Sequence, residues 1–154
     1  KYMTNVYPAI NQNSTQMAVR YTYGGKQYYQ IYNLAKGRFI NPRNPVKRIC
    51  LSATSGDFQG FDLYGTSIYT IEGSPRKSFL LGYDRSRRYQ PTKIRRYNYA
   101  VRSKKTITVR GAKTLSFREP EGIKVLAGGQ IYMMYVSNTL TNQSCNIYRV
   151  KRKI

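Results

Sequence analysis

Two short runs carry the densest cationic chemistry in the chain. Arg85, Arg87 and Arg88 lead into Tyr89 (RSRRY), and Lys93, Arg95 and Arg96 lead into Tyr97 (KIRRY). A guanidinium fork binds two phosphate oxygens at once and a neighbouring tyrosine ring stacks on an unpaired base, so basic residues interleaved with aromatics suit a groove for single-stranded nucleic acid. In the segment from Lys104 to Arg110 (KKTITVR) the period-2 pattern puts Lys104, Thr106, Thr108 and Arg110 on one face, a polar ledge beside the two runs. Lys151, Arg152 and Lys153 add a basic cluster directly after a strand-like segment. The candidate nucleic-acid contacts are therefore Arg85, Arg87, Arg88, Tyr89, Lys93, Arg95, Arg96, Tyr97, Lys104, Arg110, Lys151, Arg152 and Lys153. The plainer reading is a solvated face that keeps the protein soluble. Residues 76 to 118, however, hold 14 of the 27 Lys and Arg against the single acid Asp84, more charge than solubility needs.

The same composition removes other chemistry. With no His among 154 residues, and with Cys50 and Cys145 lying 95 positions apart, there is no Ser/His/Asp triad, no His-paired nucleophile and no zinc cluster to build. Asp57, Asp62, Glu72, Asp84, Glu119 and Glu121 are the only carboxylates, and none forms a spaced acid–base pair in a motif. An enzyme is not expected, nor a cofactor, a metal site or a small-molecule substrate. The net charge of +21 points to a polyanion as partner. No run approaches 18 apolar residues, so neither a membrane-spanning helix nor a membrane partner is expected. Cys50 and Cys145 lie in apolar-alternating runs and read as buried free thiols, the alternative being a pair if the fold brings them together. The chain begins at Lys1 rather than Met, which leads us to expect a missing basic N-terminal arm.

The elements that must position these residues read as strands. Met17–Tyr23 alternates Met, Val, Tyr, Tyr with Ala, Arg, Thr; Gly24-Gly25 then turns the chain into 27–34. After the proline-bearing turn at 41–45, a strand is expected over 46–53. Residues 49 to 75 carry no Lys or Arg and three acids; within them, 67–71 reads as a strand and 52–63 as the one candidate helix. Strands are further expected over 78–83, 94–102, 105–110 and 113–117. Residues 125 to 148 contain no charged side chain, and the run Ile131 to Val136 suits a strand buried on both faces or in a subunit contact. Seven of the 16 tyrosines crowd the first 32 residues, where an amphipathic ring serves an interface that is soluble before assembly. Eight or nine short strands with little helix predict a single all-β domain over 1–154, a sandwich or barrel.

The ending GGQIYMMYVSN, a loop, then CNIYRVKRKI, over Gly128 to Ile154, resembles the small single-jelly-roll capsid proteins of non-enveloped viruses, such as the coat proteins of geminiviruses, nanoviruses and circoviruses; satellite RNA-virus coats are equally similar in size and charge. The resemblance implies a single jelly-roll β-sandwich of about eight strands. It further implies a homo-oligomeric icosahedral shell of about 60 copies, inward-facing Arg and Lys packaging a short DNA or RNA genome, the anionic 49–75 stretch outside or at a subunit contact, and a place in the virion after assembly in the host nucleus or cytoplasm. At +21 per copy such a shell carries on the order of 1,300 positive charges, enough for roughly one to two kilobases of single strand. A cellular RNA-binding protein of ribosomal type is the alternative, sharing the charge but not needing the uncharged aromatic surface.

Overall fold

The computed structural model of the chain describes residues 3–35, 38, 40–52, 57–74, 91–115, 118–138, 143–152 and 154. β1 (Thr4–Ile10), β2 (Gln16–Tyr23), β3 (Lys26–Asn33) and β4 (Lys47–Leu51) form one sheet; β5 (Phe58–Tyr64), β6 (Ser67–Glu72), β7 (Thr92–Asn98) and β8 (Ser103–Val109) form a second; β9 (Glu119–Leu126), β10 (Gln130–Asn138) and β11 (Gln143–Arg149) form a third. All eight pairings are antiparallel and join strands adjacent in sequence, so each sheet is a meander. Among the described residues there is no α-helix, only a 3-10 turn at Ala127–Gly129. The all-β class is as expected. The strand count is eleven rather than about eight, because β1, β5 and the first half of β9 carry Asn, Pro or Gly within the strand, which blurs their alternation. A jelly roll pairs strands distant in sequence through Greek-key connections, and no such pairing occurs among the described residues.

Side-chain alternation fixes how the sheets stack. On β6, Ile68 packs with Phe61 and Leu63 of β5 against Ala18, Tyr29, Ile31 and Ile49 of the first sheet. Tyr69 and Ile71 point the other way and pack with Ile94 against Val125, Ile131, Met133 and Tyr135 of the third. The second sheet is thus the middle layer, and all six residues of β6 are buried. The doubly buried strand is therefore β6. β10 buries Ile131, Met133 and Tyr135 but leaves Tyr132, Met134 and Val136 half-buried on the outer face, and β11 is an edge whose Ile147 is 72% exposed.

Several local expectations hold. The two-residue turn Gly24-Gly25, both at positive φ, joins Tyr23 to Lys26 in register, a geometry that glycine adopts without strain. On β2 the inward face is Ala18 and Arg20, while Met17, Val19, Tyr21 and Tyr23 form the outer one. Other expectations are corrected. The helix at 52–63 is replaced by β5, whose Phe61 and Leu63 alternate with Asp62 and Tyr64 at strand spacing; 53–56 lie outside the described residues. At 113–115 the chain turns, with the Leu115 N–H donating to the Ala112 carbonyl, and 116–117 lie outside the described residues, as does 78–83. Cys50 and Cys145 are free but exposed, because each sits on the outward alternation of an outer sheet, opposite Tyr28 and Val136 respectively.

The anionic stretch departs furthest from expectation, since two of its carboxylates are buried between layers. Asp62, 2% exposed, accepts from the Val125 N–H at 2.7 Å and from Lys124 Nζ at 3.0 Å, pinning the middle sheet to the third. Glu72, 1% exposed, meets Arg95 at 3.1 Å and accepts from the Thr70 hydroxyl. Strand alternation turns both side chains into the inter-sheet spaces, where a carboxylate is held by paired cations and hydrogen bonds. Asp57 remains at the surface, accepting from the Ser74 hydroxyl.

Candidate nucleic-acid interface

β8 is a free edge of the middle sheet, and its alternation sends cations to both faces. Lys105 shares a face with Ile107 and Val109, toward the third sheet; Lys104, Thr106 and Thr108 face the side of the first. The expected site residues accordingly divide into two groups.

Between β8 and the inner face of the third sheet lies an open groove of about 600 Å³. Its apolar floor is Ile107, Val109, Met133, Tyr135, Tyr148 and Val150; Lys105 and Arg110 stand on one rim, and Arg149, Lys151 and Arg152 on the other. Among the described residues no carboxylate lines it. Tyr148 is half-buried and meets Tyr135 edge-on, with ring centroids 5.8 Å apart. Tyr135 is fixed from behind, since its hydroxyl donates to Thr92 Oγ1 at 2.8 Å and accepts from Arg118 Nη2. The Arg118 guanidinium, 4.2 Å from the Tyr135 ring centre, in turn donates through Nε to the Gly111 carbonyl. This buried brace holds an aromatic floor in place while Tyr148 keeps an accessible ring, the arrangement that base stacking uses.

Of the expected residues, Arg110, Lys151 and Arg152 meet in this groove although some 40 positions separate them. Arg110 does so with Lys105 rather than with Lys104, because β8 ends at Val109 and the alternation does not carry beyond it. Lys105, Tyr148 and Arg149 were missed. The signal was the period of CNIYRV, which turns Tyr148 and Val150 inward and leaves Arg149 exposed beside them.

On the other face of β7 and β8, Lys93, Arg95 and Tyr97 pair with Thr108, Thr106 and Lys104. Lys104 Nζ lies 5.9 Å from the Tyr97 ring centre, a cation–π distance. A narrow cleft of about 110 Å³ runs from here beneath the first sheet, past Gln27, Tyr29 and Thr70. Arg95 is engaged with Glu72 at its inner end. Burial pushes the Glu72 carboxyl above the usual range, with Arg95, Thr70 and Lys93 pulling the other way. Burial likewise raises the Tyr29 hydroxyl to about 12. Arg96 turns to the third-sheet side, donating to Ser67 Oγ at 3.1 Å and to the Ile154 carbonyl at 3.3 Å, so it anchors the chain's end. Arg85, Arg87, Arg88, Tyr89 and Lys153 lie outside the described residues.

No protein-family model matches the sequence, and comparison with curated proteins finds no match.

Proposed function

We propose that the protein is a self-assembling coat protein that binds single-stranded nucleic acid in the groove between β8 and the third sheet. The observation that carries the reading is the groove's composition among the described residues: five cations on two rims, no carboxylate, and an aromatic and apolar floor with Tyr148 half-buried at its surface. Phosphates lie along the rims and unpaired bases against the floor, so affinity is salt-sensitive and tolerant of sequence. The uncharged outer surface over 125–148 supports assembly, because copies of a +21 chain meet most readily where neither is charged. A shell of about 60 copies weighs about 1 MDa. The single jelly roll of the resembling coats is the finer form of this reading; its support is size, charge and all-β class, against the meander connectivity of the described strands.

Fluorescence anisotropy with a labelled oligonucleotide tests the groove. Five phosphate contacts at about 0.7 each give a log–log salt slope of about 3 to 4. Changing Arg110, Arg149, Lys151 and Arg152 to Ser lowers both affinity and slope, whereas changing the exposed Lys26, Arg38, Arg43 and Lys47 lowers them far less. Equal losses, a slope near zero, or strong preference for one sequence would overturn the assignment. Sedimentation separates the coat reading from a cellular RNA-binding protein, which binds without forming megadalton particles.

A further inference from the structure

The three sheets have six edges, and five carry a feature that discourages strand addition. β1 holds Pro8 and a register shift between Thr4 and Tyr7. β4 carries Lys47 and Arg48. β5 has a shift between Phe58 and Gly60, and its Gly60 lies against Gly122 of β9. β8 carries Lys104 and Lys105. β9 holds Pro120, Glu121 and Lys124. Prolines, bulges and edge charges are how sheet proteins block edge-to-edge pairing. β11 has no proline, its seven pairs with β10 run without a shift, and it is uncharged from Gln143 to Tyr148, its one charge being Arg149 at the strand's end. Its side chains are nonetheless open, with Cys145 exposed and Ile147 72% exposed.

We infer that β11 is a self-pairing edge, joining antiparallel to β11 of a second copy so that two three-stranded sheets become one of six strands. The occupant is a second copy for two reasons. An isologous contact needs a self-complementary surface, and an uncharged strand with unpaired backbone groups supplies one. Two chains of +21 repel wherever their basic surfaces meet, and β11 up to Tyr148 lies in the longest sequence stretch, 125–148, that is free of charge. Full-length pairing of Gln143–Arg149 centres on Asn146, so Cys145 of one copy lies opposite Ile147 of the other. On the outer face Cys145 and Ile147 then extend the row begun by Met134 and Val136, their cross-strand neighbours on β10. The inference rests on the self-assembly in the proposed function and names the surface that performs it.

The test uses the full chain without nucleic acid at high salt, followed by sedimentation velocity. The unaltered protein sediments as a dimer or larger, and Cys145→Lys with Ile147→Lys raises the dimer dissociation constant at least tenfold. Ile147→Cys in a Cys50→Ser background gives an interchain disulfide to Cys145 on mild oxidation, a readout independent of any loss of folding in the lysine variant. A dimer that survives both lysines, or fails to cross-link through Ile147→Cys, overturns the β11 edge while leaving assembly through another surface standing. A monomer at every concentration, with and without oligonucleotide, overturns the self-assembly itself and this inference with it.

Discussion

Replacing Asp62 with Ala separates the middle sheet from the third at a buried carboxylate anchor, and the cost follows from the two bonds lost. The Val125 N–H, in a residue with no exposed surface, loses a charged acceptor at 2.7 Å; such a bond, with the buried donor then left unpaired, is worth about 1.5 to 3 kcal/mol. Lys124 is about half exposed, so its share of the ion pair adds at most about 1 kcal/mol. Asp62→Ala therefore destabilises by about 2 to 4 kcal/mol, and a chain of this size loses on the order of 10 °C in Tm. Asp62→Asn keeps an acceptor for Val125 and costs about 1 kcal/mol. Urea unfolding at neutral pH measures both. Because one rim of the groove belongs to β8 and the other to the β11 end of the third sheet, Asp62→Ala also weakens oligonucleotide binding, although no atom of Asp62 lines the groove. A free-energy change for Asp62→Ala within about 0.5 kcal/mol of zero would refute the reasoning, since ordinary surface substitutions do no more. So would an Asn variant as unstable as the Ala one, which would show that charge rather than the hydrogen bond holds the sheets.

Three further outcomes are expected. Tyr29 keeps its proton in the fold to about pH 12 against 10 in the unfolded chain, so its contribution is complete below pH 10 and is lost as pH rises toward 12. Urea unfolding across that range shows the fall, and Tyr29→Phe flattens it. Tyr135→Phe removes the hydroxyl that joins Arg118 to Thr92 and costs about 1 to 3 kcal/mol in chemical denaturation, while the edge contact with Tyr148 persists. A thiol reagent titrates Cys50 and Cys145 in the folded protein without denaturant; protection of either would contradict their exposure.

Strand class was legible because Tyr, Ile, Val and Thr recur at period 2, and the hairpin at Gly24-Gly25 because paired glycines admit the turn that such a hairpin needs. Which face of a strand is buried was not legible. On β2 the apolar-looking set Met17, Val19, Tyr21 and Tyr23 faces away from the second sheet, with only Tyr21 buried, stacked on Tyr28, while Arg20 is buried on the other face with its guanidinium 3.6 Å from the Phe58 ring centre. That choice depends on which sheet stacks on which, a long-range fact that local alternation does not carry. The same limit explains the acids: composition marks 49 to 75 as the chain's anionic stretch, yet Asp62 bridges the middle sheet to the third and Glu72 is buried against Arg95 of its own sheet. Within the site, Lys151 and Arg152 stood out as a cluster, whereas Lys105 and Arg149 became visible only once β8 and β11 faced one groove.

The meander connectivity bears on how the chain reaches its fold. Each sheet pairs strands that follow one another in sequence, so loop closure is local, its longest span being the 73–91 connection between β6 and β7. During synthesis from the N-terminus the first two sheets can pair before β9 to β11 have been made, and until then Tyr69, Ile71 and Ile94 lie uncovered. The slow and vulnerable stage is therefore the docking of the third sheet. Since that sheet also carries Tyr148, Arg149 and the Lys151-Arg152 rim, the groove comes into being only when the last layer closes, and under the proposed function a nascent chain binds nucleic acid only after that step.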